Sequence, residues 1–181
     1  MKWALVTVGV IAGVIAAVAI IGAMLPRDHV ATLSARVAAP PSAVWSTLTE
    51  PAAFTTWRRD LVKVEVLPPT NIGPSWREHS RNGAITYVVD DFEPPRRLVT
   101  RIADAGLPYG GKWIFEIAPE GESASRVTIT EAGFVYNPIF RFVSRFIMGH
   151  TASIDGYLRA LGRHFGSEPT PSVVAGGSHG V

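Results

Sequence analysis

The sequence predicts an α+β fold: a curved antiparallel sheet around one long C-terminal helix, two short helices after the first strand, and one N-terminal transmembrane helix. Three observations carry that prediction. Residues 3–25 contain no charge and are almost wholly apolar. The middle of the chain is a series of short β-branched segments separated by Pro, Gly and Asn turn signals, the pattern of strands joined by hairpins. Across residues 137–165, apolar side chains recur at near-helical spacing.

The apolar segment comes first. About 20 apolar residues are enough to cross a hydrocarbon core of about 30 Å, and a helix satisfies its own backbone groups there. Lys2 lies on one side of it and Pro26-Arg27-Asp28 ends it on the other. Ala17-Val18-Ala19 has the form of a signal-peptidase site, but the apolar run continues to Leu25, which favours an uncleaved anchor. Lys2 and the amino terminus favour a cytoplasmic N-terminus, placing the domain on the extracytoplasmic side; Arg27 and Arg36 pull the other way. The expected division is an anchor over 1–26, a ligand-binding domain over 27–166, and a disordered tail over 167–181, where Ser, Pro, Gly and Thr dominate.

The chain has 181 residues, enough outside the anchor for one domain with a real core. It has no cysteine, which excludes a disulfide scaffold, a cysteine nucleophile and a thiolate metal site. Net charge is +2 and the basic residues are scattered singly or in pairs, so nucleic acid is not an expected partner. The positive mean hydropathy of +0.20 comes largely from the N-terminus.

Within the domain, residues 29–37 alternate as a first strand. Pro40-Pro41-Ser42 opens a helix whose Val44, Trp45 and Leu48 share a face, and Pro51 opens a shorter one with Phe54 and Trp57 three apart. Strands follow over 62–67, 76–80, 85–92, 97–102, 112–117 and 126–132, with Arg81-Asn82-Gly83 marking a tight hairpin. Asn137 and Pro138 then cap the last helix, expected to run to Phe165 with Gly149 loosening its middle.

Several segments resemble the START/Bet v 1-like superfamily (SRPBCC), and within it the polyketide cyclase/dehydrase and lipid-transport branch. They are Ala39-Pro40-Pro41-Ser42-Ala43-Val44-Trp45, Phe54-Thr55-Thr56-Trp57, Phe92-Glu93-Pro94-Pro95-Arg96-Arg97-Leu98, Gly111-Lys112-Trp113-Ile114-Phe115-Glu116 and Val127-Thr128-Ile129-Thr130-Glu131. The resemblance spans residues 30–165 and implies a helix-grip fold with a hydrophobic ligand held between sheet and helix. It does not fix an activity, because the fold carries carriers, cyclases and hormone binders alike.

Strand alternation then nominates a lining. Trp113, Phe115 and Ile117 share one face, as do Val127, Ile129 and Glu131, and as do Ile85, Tyr87 and Val89. With Trp57, Trp76, Phe142, Phe146 and His150, the expected cavity-lining set is Trp57, Trp76, Tyr87, Trp113, Phe115, Ile129, Glu131, Phe142, Phe146 and His150. Leu107, Pro108 and Tyr109 would form a lip at the mouth or an ordinary hairpin connection. Glu131 either orients a ligand, with Arg101 or His150 as partner, or sits at a strand end in water or an ion pair. Trp76 and Glu78 share a strand face, whereas Glu78 and His79 point oppositely and cannot act as a pair without a third element. No catalytic constellation, metal site or cofactor motif is present.

The expected function is membrane-tethered binding or transport of a lipid or other hydrophobic small molecule. Two alternatives remain open. One is a cyclase- or dehydrase-type enzyme using Glu131, Tyr87 or His150 as acid/base groups; the other is a non-catalytic interaction module beside the membrane.

Overall fold

Among the described residues, eight strands form one antiparallel sheet that curls around a C-terminal helix. The structure, a computed structural model, describes residues 2–149 and 151–174.

Helix α1, Lys2–Met24, is exposed along almost its whole length, and its Val6–Met24 stretch is long and apolar enough to cross a membrane. Three residues separate it from β1, Asp28–Val37. Here alternation works as expected: Ala31, Leu33, Ala35 and Val37 are buried on the concave face. Helix α2, Pro41–Leu48, starts with proline at its first position and buries Val44 and Leu48. A single 3₁₀ turn, Pro51–Ala53, leads into α3, Phe54–Trp57, whose two aromatic ends are both buried.

The remaining strands are β2 Leu61–Leu67, β3 Ser75–Ser80, β4 Gly83–Glu93, β5 Arg97–Ile102, β6 Tyr109–Pro119 and β7 Ser125–Val135. Each pairs with its sequence neighbour, and β1 closes on β7. Register puts Trp113 opposite Glu131, Phe115 opposite Ile129 and Ile117 opposite Val127, so these six share the concave face.

Two expectations are corrected here. The long last helix is broken. It comprises α4, Pro138–Val143, a wider π turn over Ser144–Met148, and α5, Ala152–His164. Gly149 stands at the break with φ +73, a left-handed conformation that costs glycine little. Apolar spacing continues on both sides of this break, but the two halves bury against different things. Ile154, Leu158 and Leu161 of α5 are fully buried against the sheet, whereas α4 packs beside α1.

The second correction concerns the tail. Residues 167–174, expected to be disordered, fold back over α5. Pro169 is buried against Gly162, and β8, Ser172–Val173, pairs with Ser34 and Leu33 of β1. The tail thus covers part of an otherwise open sheet edge. Residues 175–181 lie outside the described residues.

Candidate ligand-binding site

The concave face and α5 enclose an aromatic interior with one ion pair inside it. Arg58 follows α3 in extended backbone, where the chain turns toward β2, and its side chain reaches back under the sheet. Its Nη1 donates to Glu78 Oε1 at 2.8 Å and its Nη2 to Asp60 Oδ2 at 2.8 Å. The Trp76 indole N–H donates to the same Glu78 oxygen at 3.0 Å. The guanidinium carbon lies 5.0 Å from the centroid of the Tyr157 ring. Arg58 and Glu78 side chains are only 12% and 9% exposed, so both charges are held by these partners rather than by water.

Burial alone would lower the Arg58 pKa, but the Glu78 carboxylate and its neighbours outweigh it and hold the guanidinium above its ordinary value. Burial, reinforced by Glu78, pushes the Tyr87 phenol up. Burial does the same to Tyr157, against the opposing pull of Arg58. Both phenols therefore stay protonated at neutral pH. They are able to donate or accept hydrogen bonds and are poor bases.

Space between these groups is small. The interior lined by Phe54, Arg58, Glu78, Tyr87, Trp113 and Tyr157 has a free volume of about 50 Å³, room for a few waters. Next to it, between α2 and the β4–β5 end of the sheet, lies a second and more apolar space of about 220 Å³, lined by Trp45, Pro51, Val89, Phe92 and Pro94 among others. Leu48, Trp76 and Leu98 border both spaces. Together they approach the lower end of the range for small-molecule pockets, roughly 300–1,000 Å³.

The nominated residues separate by place. Trp76, Tyr87, Trp113 and Phe115 line the interior space. Trp57 and Ile129 are buried in the surrounding core, Trp57 lying edge-on to Phe54 and Tyr157 at 5.8 Å and 5.4 Å. Glu131 is on the concave face but at its edge, where it meets His29 Nε2 at 3.4 Å and accepts from the Ser153 hydroxyl at 3.2 Å. Its partners are thus β1 and the first turn of α5. Arg101, considered above as a partner, instead donates to Asp90 at 3.1 Å on the outer face.

Leu107, Pro108 and Tyr109 stand at the same end of the sheet as Glu131. The Pro108 carbonyl accepts from the Tyr136 N–H at 2.9 Å, and Tyr109 pairs with Val135. Tyr109 and Glu131 both lie near enough to Tyr87 to contribute to its raised pKa. Phe142 and Phe146 are not in the interior: their rings pack on each other at 4.9 Å on the α4 side of the helix break, and Phe146 is 59% exposed. His150 lies outside the described residues.

Sequence reasoning placed Trp76 and Glu78 on one face but did not find Arg58, which pairs with Glu78; His79 meets Glu65 instead. It also passed over Tyr157, although that residue stands three after Ile154 and one before Leu158 on the buried stripe of α5.

Solved structures share this architecture at low identity. A conserved protein from Geobacillus kaustophilus matches with a TM-score of 0.64 at 14% identity, covering 79% of this chain and 99% of that one. A START superfamily protein from Mycobacterium smegmatis matches with a TM-score of 0.61 at 15% identity, covering 78% and 98%. Norcoclaurine synthase from Thalictrum flavum matches with a TM-score of 0.59 at 12% identity, covering 76% and 92%. No curated protein matches the sequence. A family model matches residues 28–165, from the first residue of β1 to the residue after α5, and on that match the chain belongs to the polyketide cyclase / dehydrase and lipid transport family.

Proposed function

We propose that the protein is a membrane-tethered binder of a compact hydrophobic molecule that carries one polar group. The observation that supports it most is the Arg58–Glu78 pair set into an otherwise aromatic interior. A ligand's polar group is oriented there by the guanidinium, by Glu78 and by the protonated phenols of Tyr87 and Tyr157. Its apolar body extends into the neighbouring space past Trp76 and Leu48. The volumes favour a small ring system or a short chain over a two-chain lipid.

The anchor supports the same reading. The strand ends at Asp28, Tyr109 and Val135 lie at the end of the sheet that follows α1. Leu107, Pro108, Tyr109 and Glu131 stand at this end, so the tether holds the lip nominated there beside the bilayer, where hydrophobic ligands concentrate; neither interior space is bordered by these four. The enzymatic alternative gains less support. Tyr87 faces the interior while Glu131 is engaged by His29 and Ser153, and the raised tyrosine pKa disfavours it as a base.

The test uses the full chain purified from membranes in mild detergent. Native mass spectrometry is expected to find one bound small molecule of mixed polarity, and its titration back into stripped protein quenches tryptophan fluorescence. In Trp113→Phe and Tyr157→Phe variants, which keep the packing, affinity falls about tenfold. A chain that retains nothing, and whose fluorescence responds equally to any apolar additive in wild type and variants, rules the reading out.

A further inference from the structure

Where α1 meets the domain, two contacts fix the joint. Gly22 packs so closely on α4 that a Cβ there would lie 1.9 Å from the Pro138 carbonyl oxygen. Arg141, 9% exposed, donates from Nη1 to the Leu25 carbonyl at 2.7 Å and from Nη2 to the Tyr136 carbonyl at 3.4 Å. Its Nε is buried with no hydrogen-bond partner among the described residues.

Around this joint opens a cavity of about 340 Å³, bordered by Leu25, Pro26, Arg27, Asp28, Arg141 and Arg145 among others. Three arginines stand there against one aspartate, an excess of two positive charges. Arginines on the sheet surface have carboxylate partners, Arg97 with Asp91 and Arg126 with Glu120 among them. Among the described residues, Arg27 and Arg145 have none. Close by, α4 and the π turn present Ile139, Phe140, Phe146 and Ile147 to the outside. An apolar collar beside unpaired guanidiniums is an amphipathic surface with its charge at one level and its grease at another.

We propose that this joint binds the phosphate headgroup of an anionic phospholipid, with Phe140, Phe146 and Ile147 entering the acyl boundary next to α1. The proposal rests on the reading of α1 as a membrane anchor. Arginine offers a planar fork of donors that matches phosphate oxygens. Free phosphate shares the chemistry of the headgroup; the apolar collar is what selects the lipid. Because Gly22 and Arg141 hold α4 against the end of α1, a headgroup bound here also sets the tilt of the domain over the bilayer.

The experiment takes the full chain in detergent and titrates it separately with short-chain phosphatidylglycerol, short-chain phosphatidylcholine and inorganic phosphate, reading adducts by native mass spectrometry. Phosphatidylglycerol is expected to bind at least about tenfold more tightly than either of the others. Arg27→Gln and Arg145→Gln are each expected to weaken it roughly fivefold while leaving the circular dichroism spectrum unchanged. Equal binding of the two lipids overturns the proposal. So does inorganic phosphate that binds as well as phosphatidylglycerol, which points to a free anion, and so does a preference that survives in the Arg27→Gln/Arg145→Gln double variant. Alkaline carbonate extraction of membranes separates the two readings. Release of the full-length chain into the soluble fraction removes the anchor reading, whereas retention without a phosphatidylglycerol preference removes the headgroup site alone.

Discussion

The interior and the joint between α1 and α4 use the same kinds of residue in opposite ways. In both, arginine sits among large apolar side chains. In the interior Arg58 has its counter-charge at hand: two carboxylates accept from it, a tyrosine ring faces it, and water is largely excluded. At the joint, among the described residues, only Arg141 of the three is engaged, and its acceptors are backbone carbonyls, while Arg27 and Arg145 lie open beside exposed Phe146 and Ile147. A buried cation must bring its counter-charge with it, because desolvation costs several kcal/mol. An exposed cation next to uncovered apolar surface takes its counter-charge from outside. The contrast separates a region that completes itself on folding from one that folding leaves unfinished.

The comparison breaks most sharply at Glu78. Glu78→Gln removes the main partner of a buried guanidinium, and such losses cost about 3–5 kcal/mol. Asp60 remains as a second, more exposed partner, so the lower end of that range is expected in urea denaturation of the full chain. A paired replacement, Arg58→Met with Glu78→Leu, should recover most of that stability while abolishing ligand binding. A single Glu78→Gln variant as stable as wild type would show that the interior pair is not desolvated as described.

Gly22→Val tests the joint. The added side chain collides with the Pro138 backbone, and overpacking of this kind costs about 1–3 kcal/mol. Here the strain is relieved by separating α1 from α4, so hydrogen exchange should rise over residues 138–148 while the sheet stays protected. Loss of protection throughout the domain would mean that α4 is part of the core rather than a collar around α1.

How much of this was legible depends on the range of the interaction. Period-two alternation indicated the concave face of β6 and β7, and it put Trp76 beside Glu78, because both follow from local geometry. Arg58 was not legible in the same way. It lies just past a four-residue helix, and its side chain reaches a strand twenty positions on, a contact that no spacing rule encodes. The break at Gly149 was visible as a glycine, but apolar spacing persists across it, so Phe142 and Phe146 read as a continuation of the gripped helix. Sequence period reports that a face is apolar; it does not report whether sheet, helix or lipid covers that face. The two-residue β8 is too short for any pattern to announce.

A third expectation concerns pH and the interior alone. Tyr87 and Tyr157 have pKa values raised above the ordinary tyrosine value of about 10, chiefly by burial. Above that pH the unfolded chain has released protons that the folded chain still holds. The stability is therefore complete below about pH 10 and declines as pH rises beyond it toward the folded-state values. Denaturation midpoints should fall between about pH 9 and about pH 11, and fall less in Tyr87→Phe and Tyr157→Phe. Equal alkaline losses in wild type and variants would show the two phenols to be solvated.

The smallest effect on stability belongs to the collar and is the more informative for it. Phe146→Ser removes a ring that is 59% exposed and packs on Phe142, so unfolding free energy should move by no more than about 0.5 kcal/mol. Membrane geometry should move instead. With a fluorophore on the exposed face of β2, its distance to a labelled bilayer surface should widen or broaden in Phe146→Ser, and more so with Ile147→Ser added. The same substitutions made in an interior ring such as Phe115 would reverse the pattern, lowering stability by several kcal/mol and leaving the distance unchanged in the protein that still folds. If Phe146→Ser lowers stability as much as an interior substitution does, the collar is packed after all, and the distinction between a finished interior and an unfinished joint fails at its outer boundary.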